Sequence, residues 1–231
     1  MKQLSATRST LAILALAALG FTSTAMAQPG REYDVTVTNL TNAVALTPII
    51  AASHKAGVHT FMPGQPASVQ LEEQAEGGST AGLMSLLAAD PAVLDIQTTA
   101  APLPPGQSVT VTLRTTGNAN HISLTTMLVP TNDGFTGVSG IEVPEGNHML
   151  VLHVPAYDAG TEENDELCTH IPGPPTVCTG EGFNPSRMDA EGFVHVHRGI
   201  HGVGDLNAAT FDWRNPVARI VIKRHGVDHE E

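Results

Sequence analysis

The sequence is short of basic and aromatic residues, and each shortage excludes a class of ligand. Its 11 Lys and Arg stand against 23 Asp and Glu, which gives a formal net charge of −12. Such a chain repels phosphate backbones, so we expect no nucleic-acid partner. Aromatic residues make up only 4% of the chain, too few for the stacking surfaces of many carbohydrate and single-strand binders. An acidic surface remains compatible with divalent cations and with solubility outside the cell.

The common catalytic motifs are also missing. Ser139 lies in "GVSGIE", which departs from the Gly-x-Ser-x-Gly turn that exposes a nucleophilic serine. The sequence contains no His-Glu-x-x-His motif and no glycine-rich loop with a lysine for phosphates. A glycoside hydrolase with paired acids remains as an alternative, although few aromatic side chains are present to hold a sugar ring. We therefore predict a binding protein rather than an enzyme.

Long apolar runs are absent after the first 27 residues. Lys2 and Arg8 precede "STLAILALAALGFTSTAMA", which has the charged start, apolar centre and small-residue end of a secretory signal peptide. Its apolar centre is shorter than the ~20 residues that cross a bilayer. We expect residues 1–27 to be removed after Ala27, leaving an exported protein that does not span a membrane. Its final location is the periplasm, the cell surface or the medium.

Cysteine is scarce, since Cys168 and Cys178 in "CTHIPGPPTVC" are the only two. In an exported chain an isolated pair is expected to form a disulfide. Closing so short a loop contributes about 2–3 kcal/mol in the chain-entropy description. A metal-binding thiol pair or a nucleophile is the less favoured alternative, because no second pair of thiols follows.

Segments with a two-residue alternation of apolar and polar side chains predict strands. Gly- and Pro-rich stretches separate them, which is typical of an antiparallel β-sandwich with long loops. One segment, "STAGLMSLLAAD" at 79–90, predicts a short helix. We therefore predict an all-β sandwich as a single domain over 31–224, followed by a disordered tail at 225–231. The predicted strands are 33–40, 107–116, 121–130, 148–157 and 217–224.

Two acidic clusters follow predicted strands. Asp133 comes after "HISLTTMLVPTN", and Asp158 comes after "HMLVLHVPAY" with Glu162 four residues later. Calcium takes six to eight oxygen ligands, many of them from carboxylates on turns, and Gly160 lets the chain bend between the two later acids. Aspartate after a strand is also a common turn former, so the spacing alone leaves both interpretations open.

Three segments together resemble the spondin N-terminal domain, the module of F-spondin and of many secreted bacterial proteins. They contain "DGFTG" from Asp133, "DAGT" from Asp158 and "DWRNPVARI" at 212–220. The resemblance extends over most of the chain and implies a β-sandwich similar to calcium-dependent membrane-binding modules. It further implies that Asp133, Asp158 and Glu162 bind calcium, with glutamate where the family has aspartate. The implied function is a secreted calcium-binding module for adhesion to a surface or matrix ligand.

Histidine is abundant, with 11 residues in the chain. "FVHVHRGIHG" places two imidazoles on one face of a strand, a spacing that can hold zinc or copper. An alternative function is therefore a periplasmic or surface copper- or zinc-binding protein, although these histidines equally suit hydrogen bonds to loops. The candidate ligands for this alternative are His195, His197, His201, His54 and His121.

Overall fold

The computed structural model describes residues 30–186 and 190–227, so the predicted signal peptide lies outside the described residues. Most of the regular structure is antiparallel β-strand. The strands are β1 (Arg31–Asn39), β2 (Ala45–Leu46), β3 (Ile50–His54), β4 (Val93–Thr98), β5 (Ser108–Thr115), β6 (His121–Val129), β7 (Gly134–Glu142), β8 (Met149–Val154), β9 (Ala156–Asp158), β10 (His195–Val196) and β11 (Ala218–Arg224). The predicted β-sandwich is confirmed.

The strands form two sheets. The first has the order β5-β1-β11-β8, and the second has the order β10-β9-β7-β6-β3-β4 with β2 paired to β6. Strand β1 shows the two-residue period of a sheet that is buried on one face, since Tyr33, Val35 and Val37 are buried between partly exposed neighbours. These side chains belong to the main core between the sheets. The alternation predicted from the sequence is confirmed in this strand.

The centre of the second sheet is buried on both faces. All five residues of β3 are buried. Ala51 packs into the core between the sheets, whereas Ile50 and Ala52 pack into a second apolar cluster with Leu71 and Leu83. Because successive side chains point to opposite faces, a strand covered on both sides loses the polar half of its pattern.

The second cluster is covered by two short helices. The helices of the described residues are α1 (Val69–Gly77), α2 (Ala81–Ala89) and α3 (Ala208–Phe211). Helix α2 corresponds to the segment predicted at 79–90, and the other two were not expected. The start of α1 is marked by Ser68, whose hydroxyl accepts a hydrogen bond from the Leu71 N–H, and Gly78 follows its end with a φ of 70°. No helix among the described residues has the length and apolar character to cross a membrane.

Cys168 and Cys178 form the predicted disulfide, with their Cα atoms 4.8 Å apart. Near the end of the described chain, the Nδ1 atom of His225 lies 2.8 Å from a carboxylate oxygen of Asp34 in β1. This contact holds the residue after β11 against the first sheet. The remainder of the predicted tail, 228–231, lies outside the described residues.

The loop that contains residues 201–203 is held by one buried carboxylate. Glu166 is 3% exposed and has a φ of 57°, a left-handed conformation that is uncommon for a side-chain-bearing residue. Its carboxylate accepts hydrogen bonds from the backbone N–H groups of His201, Gly202 and Val203, at 2.6, 2.6 and 3.0 Å. The side chain thus accepts hydrogen bonds from three backbone N–H groups that lie outside any strand or helix.

We predict that Glu166→Gln lowers the melting temperature by roughly 3–12 °C, since hydrogen bonds to a charged group contribute about 1.5–3 kcal/mol. The amide keeps one acceptor oxygen but turns an N–H₂ group toward the loop donors. Differential scanning calorimetry measures the effect, and Glu163→Gln is the control because Glu163 is exposed in the same segment. Equal melting temperatures for the two variants would show that the carboxylate does not hold the loop.

Candidate metal centre

Strands β7, β9 and β10 bring charged residues into one row at the edge of the second sheet. Gly134, the residue after Asp133, pairs with Asp158 between β7 and β9. Asp158 then pairs with His195 between β9 and β10. Opposite residues of antiparallel strands have Cβ atoms about 4.5–5.5 Å apart. Three distant parts of the sequence therefore meet at this edge.

Asp133 is fully buried. Its Oδ2 atom accepts hydrogen bonds from the backbone N–H groups of Thr161 and Glu162, at 2.8 and 3.2 Å. No described residue donates a hydrogen bond to its Oδ1 atom. Burial, and then the charge of Asp158, raises the pKa of Asp133 well above its ordinary value. A buried carboxylate oxygen with no donor is costly unless a cation or proton compensates it.

Asp158 is also buried, but both of its carboxylate oxygens accept hydrogen bonds. Oδ1 accepts from the Gly160 N–H at 2.8 Å, and Oδ2 accepts from the Asn164 side chain at 2.6 Å. Burial raises the pKa of Asp158, and Glu191 adds to the rise, whereas the bond from Asn164 and the nearby His195 oppose it. Hydrogen bonds from the loop after β9 thus partly stabilise the charged form of Asp158.

Gly160 allows the loop after β9 to reach the chain before β10. It has a φ of 68°, and a Cβ atom at this position would lie 2.3 Å from the carbonyl oxygen of Phe193. A side chain there is excluded both by conformation and by space. The contact lets the Gly192 N–H donate to the Gly160 carbonyl at 2.9 Å, which joins the two segments that carry Asp158 and Glu191.

Glu162 is buried beside this row and contacts a different partner. Its Oε1 atom accepts a hydrogen bond from the Asn132 side chain at 3.1 Å. The Asn132 side-chain amide also donates to Asp165 at 2.9 Å, and its Oδ1 atom accepts from the Glu166 N–H at 3.1 Å. Asn132 therefore fixes the acidic loop next to Asp133. The backbone N–H of Glu162, rather than its carboxylate, makes the hydrogen bond to Asp133.

Among the described residues, one set of three metal-ligating side chains has its ligand atoms within 4.8 Å of one another, namely Asp158, Glu191 and His195. The set contains one of the three predicted carboxylates and one of the five predicted histidines. Glu191 was missed by the sequence analysis, as was the buried Glu76 of α1. The charges of Glu191 and Glu76 both contribute to the raised pKa of Asp133. The one sequence signal for Glu191 is its position four residues before His195.

The other predicted histidines lie outside this set. His54 and His121 face each other across β3 and β6, with ring centroids 6.4 Å apart. Both ring nitrogens of His54 have partners, since Nδ1 lies 2.8 Å from the Lys55 carbonyl and Nε2 lies 2.8 Å from the Ser123 hydroxyl. This histidine is engaged in hydrogen bonds within the sheet.

His197 packs against the single tryptophan. Its ring centroid lies 5.0 Å from that of Trp213, and its Nδ1 atom accepts a hydrogen bond from the Gly199 N–H at 3.0 Å. Burial, followed by the charges of nearby basic residues, lowers the pKa of His197 to about 3. The imidazole is therefore neutral in the core. His201, in contrast, is exposed.

The family model Spondin_N matches residues 36–173. The chain belongs to the Spondin_N family. No curated protein matches the chain.

The Spondin_N match includes Asp133, Asp158 and Glu162, whereas Glu191 and His195 lie beyond its end. Spondin_N is not a known enzyme family. The family and the disulfide fit an extracellular type of protein. The resemblance drawn from the quoted segments is therefore confirmed at the level of the family.

We predict that His54 makes the protein less stable as the pH falls below 6.5. Burial lowers the pKa of His54 from its ordinary value of 6.5, so the unfolded chain binds a proton that the folded chain does not. The contribution of neutral His54 to the free energy of unfolding is then present above pH 6.5. It decreases as the pH falls below 6.5, by at most about 1.4 kcal/mol per pH unit. In His54→Gln, urea unfolding between pH 7.5 and 5.5 should show a shallower dependence on pH. Parallel curves for the two proteins would contradict this prediction.

Proposed function

We propose that the protein is an exported, non-catalytic module that binds calcium at Asp133, Asp158 and Glu162. The loops around the calcium ion would then contact a surface or matrix ligand. The observation that carries the proposal is the buried Oδ1 atom of Asp133, which receives no hydrogen bond from the described residues. It lies close enough to Asp158 for each charge to affect the other. A divalent cation between them would neutralise this repulsion.

The chemistry of the donors suits calcium. Carboxylate oxygens, backbone carbonyls and water are the ligands that this hard cation prefers. Asp133 supplies a carboxylate from the turn before β7, Asp158 supplies one from the end of β9, and Glu162 lies at the start of the acidic segment that follows. The hydrogen bonds from Thr161 and Glu162 to Asp133 hold that acidic segment against the turn before β7. Glu162 would join the shell through its longer side chain.

The surface around this edge supports a role in contact with a ligand. Several large apolar side chains near the acidic loops are exposed, although most such side chains are buried in soluble proteins. Phe193 lies beside His195, with ring centroids 5.3 Å apart. The exposed apolar residues on these loops and on the adjoining strand β10 are Leu167, Phe193, Val196 and Val203. Calcium would order the loops that present them.

We predict that millimolar calcium raises the melting temperature relative to chelator. Binding to the native state at 100 times the Kd contributes about 2.7 kcal/mol, or roughly 5–10 °C for a domain of this size. Asp133→Asn and Asp158→Asn should each lose most of the shift, because the amide removes the charge. In chelator, Asp133→Asn should melt at or above the wild-type temperature, since the repulsion with Asp158 is removed.

Glu163→Gln is the matched control, because this exposed glutamate belongs to the same acidic segment and lies outside the proposed shell. It should keep the full calcium shift, whereas Glu162→Gln should lose part of it. If the wild type and Asp158→Asn melt alike with calcium and with chelator, the acids are only turn formers and the proposal fails.

A further inference from the structure

Three side chains from two segments, the end of β9 and the stretch that leads into β10, converge at the exposed end of the charged row. The Nε2 atom of His195 lies 3.6 Å from Asp158 Oδ1 and 3.8 Å from Glu191 Oε1. Asp158 is buried, whereas His195 is partly exposed and Glu191 is 42% exposed. The three atoms therefore form a shallow site with a buried floor and one side open to solvent.

The other ring nitrogen of His195 fixes the state of the imidazole. Nδ1 lies 3.2 Å from the backbone carbonyl of Val196, and a carbonyl only accepts hydrogen bonds. Nδ1 therefore carries a proton, and in the neutral ring the lone pair is on Nε2, directed toward the two carboxylates. Histidines that bind metals commonly donate their second N–H to a backbone carbonyl in this way.

The spacing suits a small divalent ion. Zinc binds imidazole nitrogen and carboxylate oxygen at about 2.0–2.2 Å, and tetrahedral ligands at those distances lie roughly 3.3–3.6 Å apart. The two distances from His195 are 3.6 and 3.8 Å. A small inward movement of the exposed Glu191 would therefore bring its carboxylate within bonding distance of the same ion. Three protein ligands and an open position for water form a common zinc arrangement.

A separate observation shows that negative charge is concentrated at this place. The Oδ1 atom of fully buried Asp133 receives no hydrogen bond from the described residues, and the charges of Asp158 and Glu191 both act on its carboxyl group. A buried, uncompensated oxygen next to two further carboxylates attracts a cation. The set is thus more than a group of exposed acids.

We propose that Asp158, Glu191 and His195 form a binding site for zinc or a similar divalent transition-metal ion. The site goes beyond the proposed calcium function, with which it shares Asp158, and it does not require that calcium binds. The imidazole distinguishes the two sites, because nitrogen ligands suit zinc, whereas calcium takes oxygen. Asp133 and Glu162 belong to the calcium set, and Glu191 and His195 belong to the zinc set.

The test is a calorimetric titration of Zn²⁺ into metal-free exported protein, with wild type, His195→Asn and Glu191→Gln. We expect one tight equivalent in the wild type and at least about tenfold weaker binding in both variants, since changes even outside the ligand shell cost about 10- to 100-fold. Co²⁺ in place of zinc should give intense visible absorption bands in the wild type and weak bands in His195→Asn.

His201→Asn is the matched control, because His201 is exposed on the same histidine-rich segment and lies outside the set. It should bind zinc like the wild type. If His195→Asn and the wild type bind zinc alike, or if neither binds a tight equivalent, the three side chains form only an ion pair and the proposal is overturned.

The two metal proposals fail separately. Asp133→Asn should lose the calcium-dependent thermal shift and still bind one zinc, whereas His195→Asn should keep that shift and lose the zinc. The retained shift also shows that His195→Asn is folded. Loss of zinc binding in Asp133→Asn with full binding in His195→Asn would overturn the zinc assignment.

Discussion

The irregular chain between β9 and β10 must satisfy its backbone hydrogen bonds without a strand or a helix in its described parts. A buried N–H group without an acceptor is costly. Carboxylates act as acceptors here, with Asp133 receiving the N–H groups of Thr161 and Glu162. Glu166 does the same for the loop that starts at His201. The position of the acids in this fold follows from this requirement.

That use of acids has an electrostatic consequence. Asp133 directly precedes β7 and Asp158 ends β9, so once both are buried as backbone acceptors their charges repel each other. Both acids have an aromatic neighbour in the chain: Phe135 is fully buried, and its ring centroid lies 5.6 Å from that of Tyr157. Low polarity strengthens every charge interaction at this edge. The same acids thus stabilise the loops and carry the charge that the proposed cation would neutralise.

Much of the sandwich could be predicted from the sequence, because its strands carry local signals. The alternation in β1 indicates which face is buried, and "HISLTTMLV" at 121–129 indicates a strand through its run of apolar and β-branched residues. Helix α1 was missed because its segment "VQLEEQAEG" has Leu71 and Ala75 as its main apolar pair. Its boundaries are marked only by Ser68 and Gly78.

The candidate site was predictable only in part, for a different reason. Asp133 and Asp158 follow strands, which is a local signal, and the family resemblance then placed them together. Glu191 gives no such signal. It reaches Asp158 only because β10 pairs with β9 across a long irregular segment, and sequence spacing does not determine that pairing. His195, His197 and His201 were grouped by their spacing in one segment, with His54 and His121 added from elsewhere in the chain. The fold instead distributes the five over several strands and loops.

The way in which the described parts of segment 159–194 are held has a consequence for how such proteins vary. Their backbone is held by a disulfide of sequence separation 10 and by side chains from elsewhere in the fold, such as Asp133 and Glu76, which accept the N–H groups of Thr161 and Asn184. The entropy of closing a loop grows slowly, by about 0.6 kcal/mol for each doubling of length. Insertions and deletions that leave these contacts in place therefore cost the sandwich little. Related chains can differ in length there and keep the same sheets.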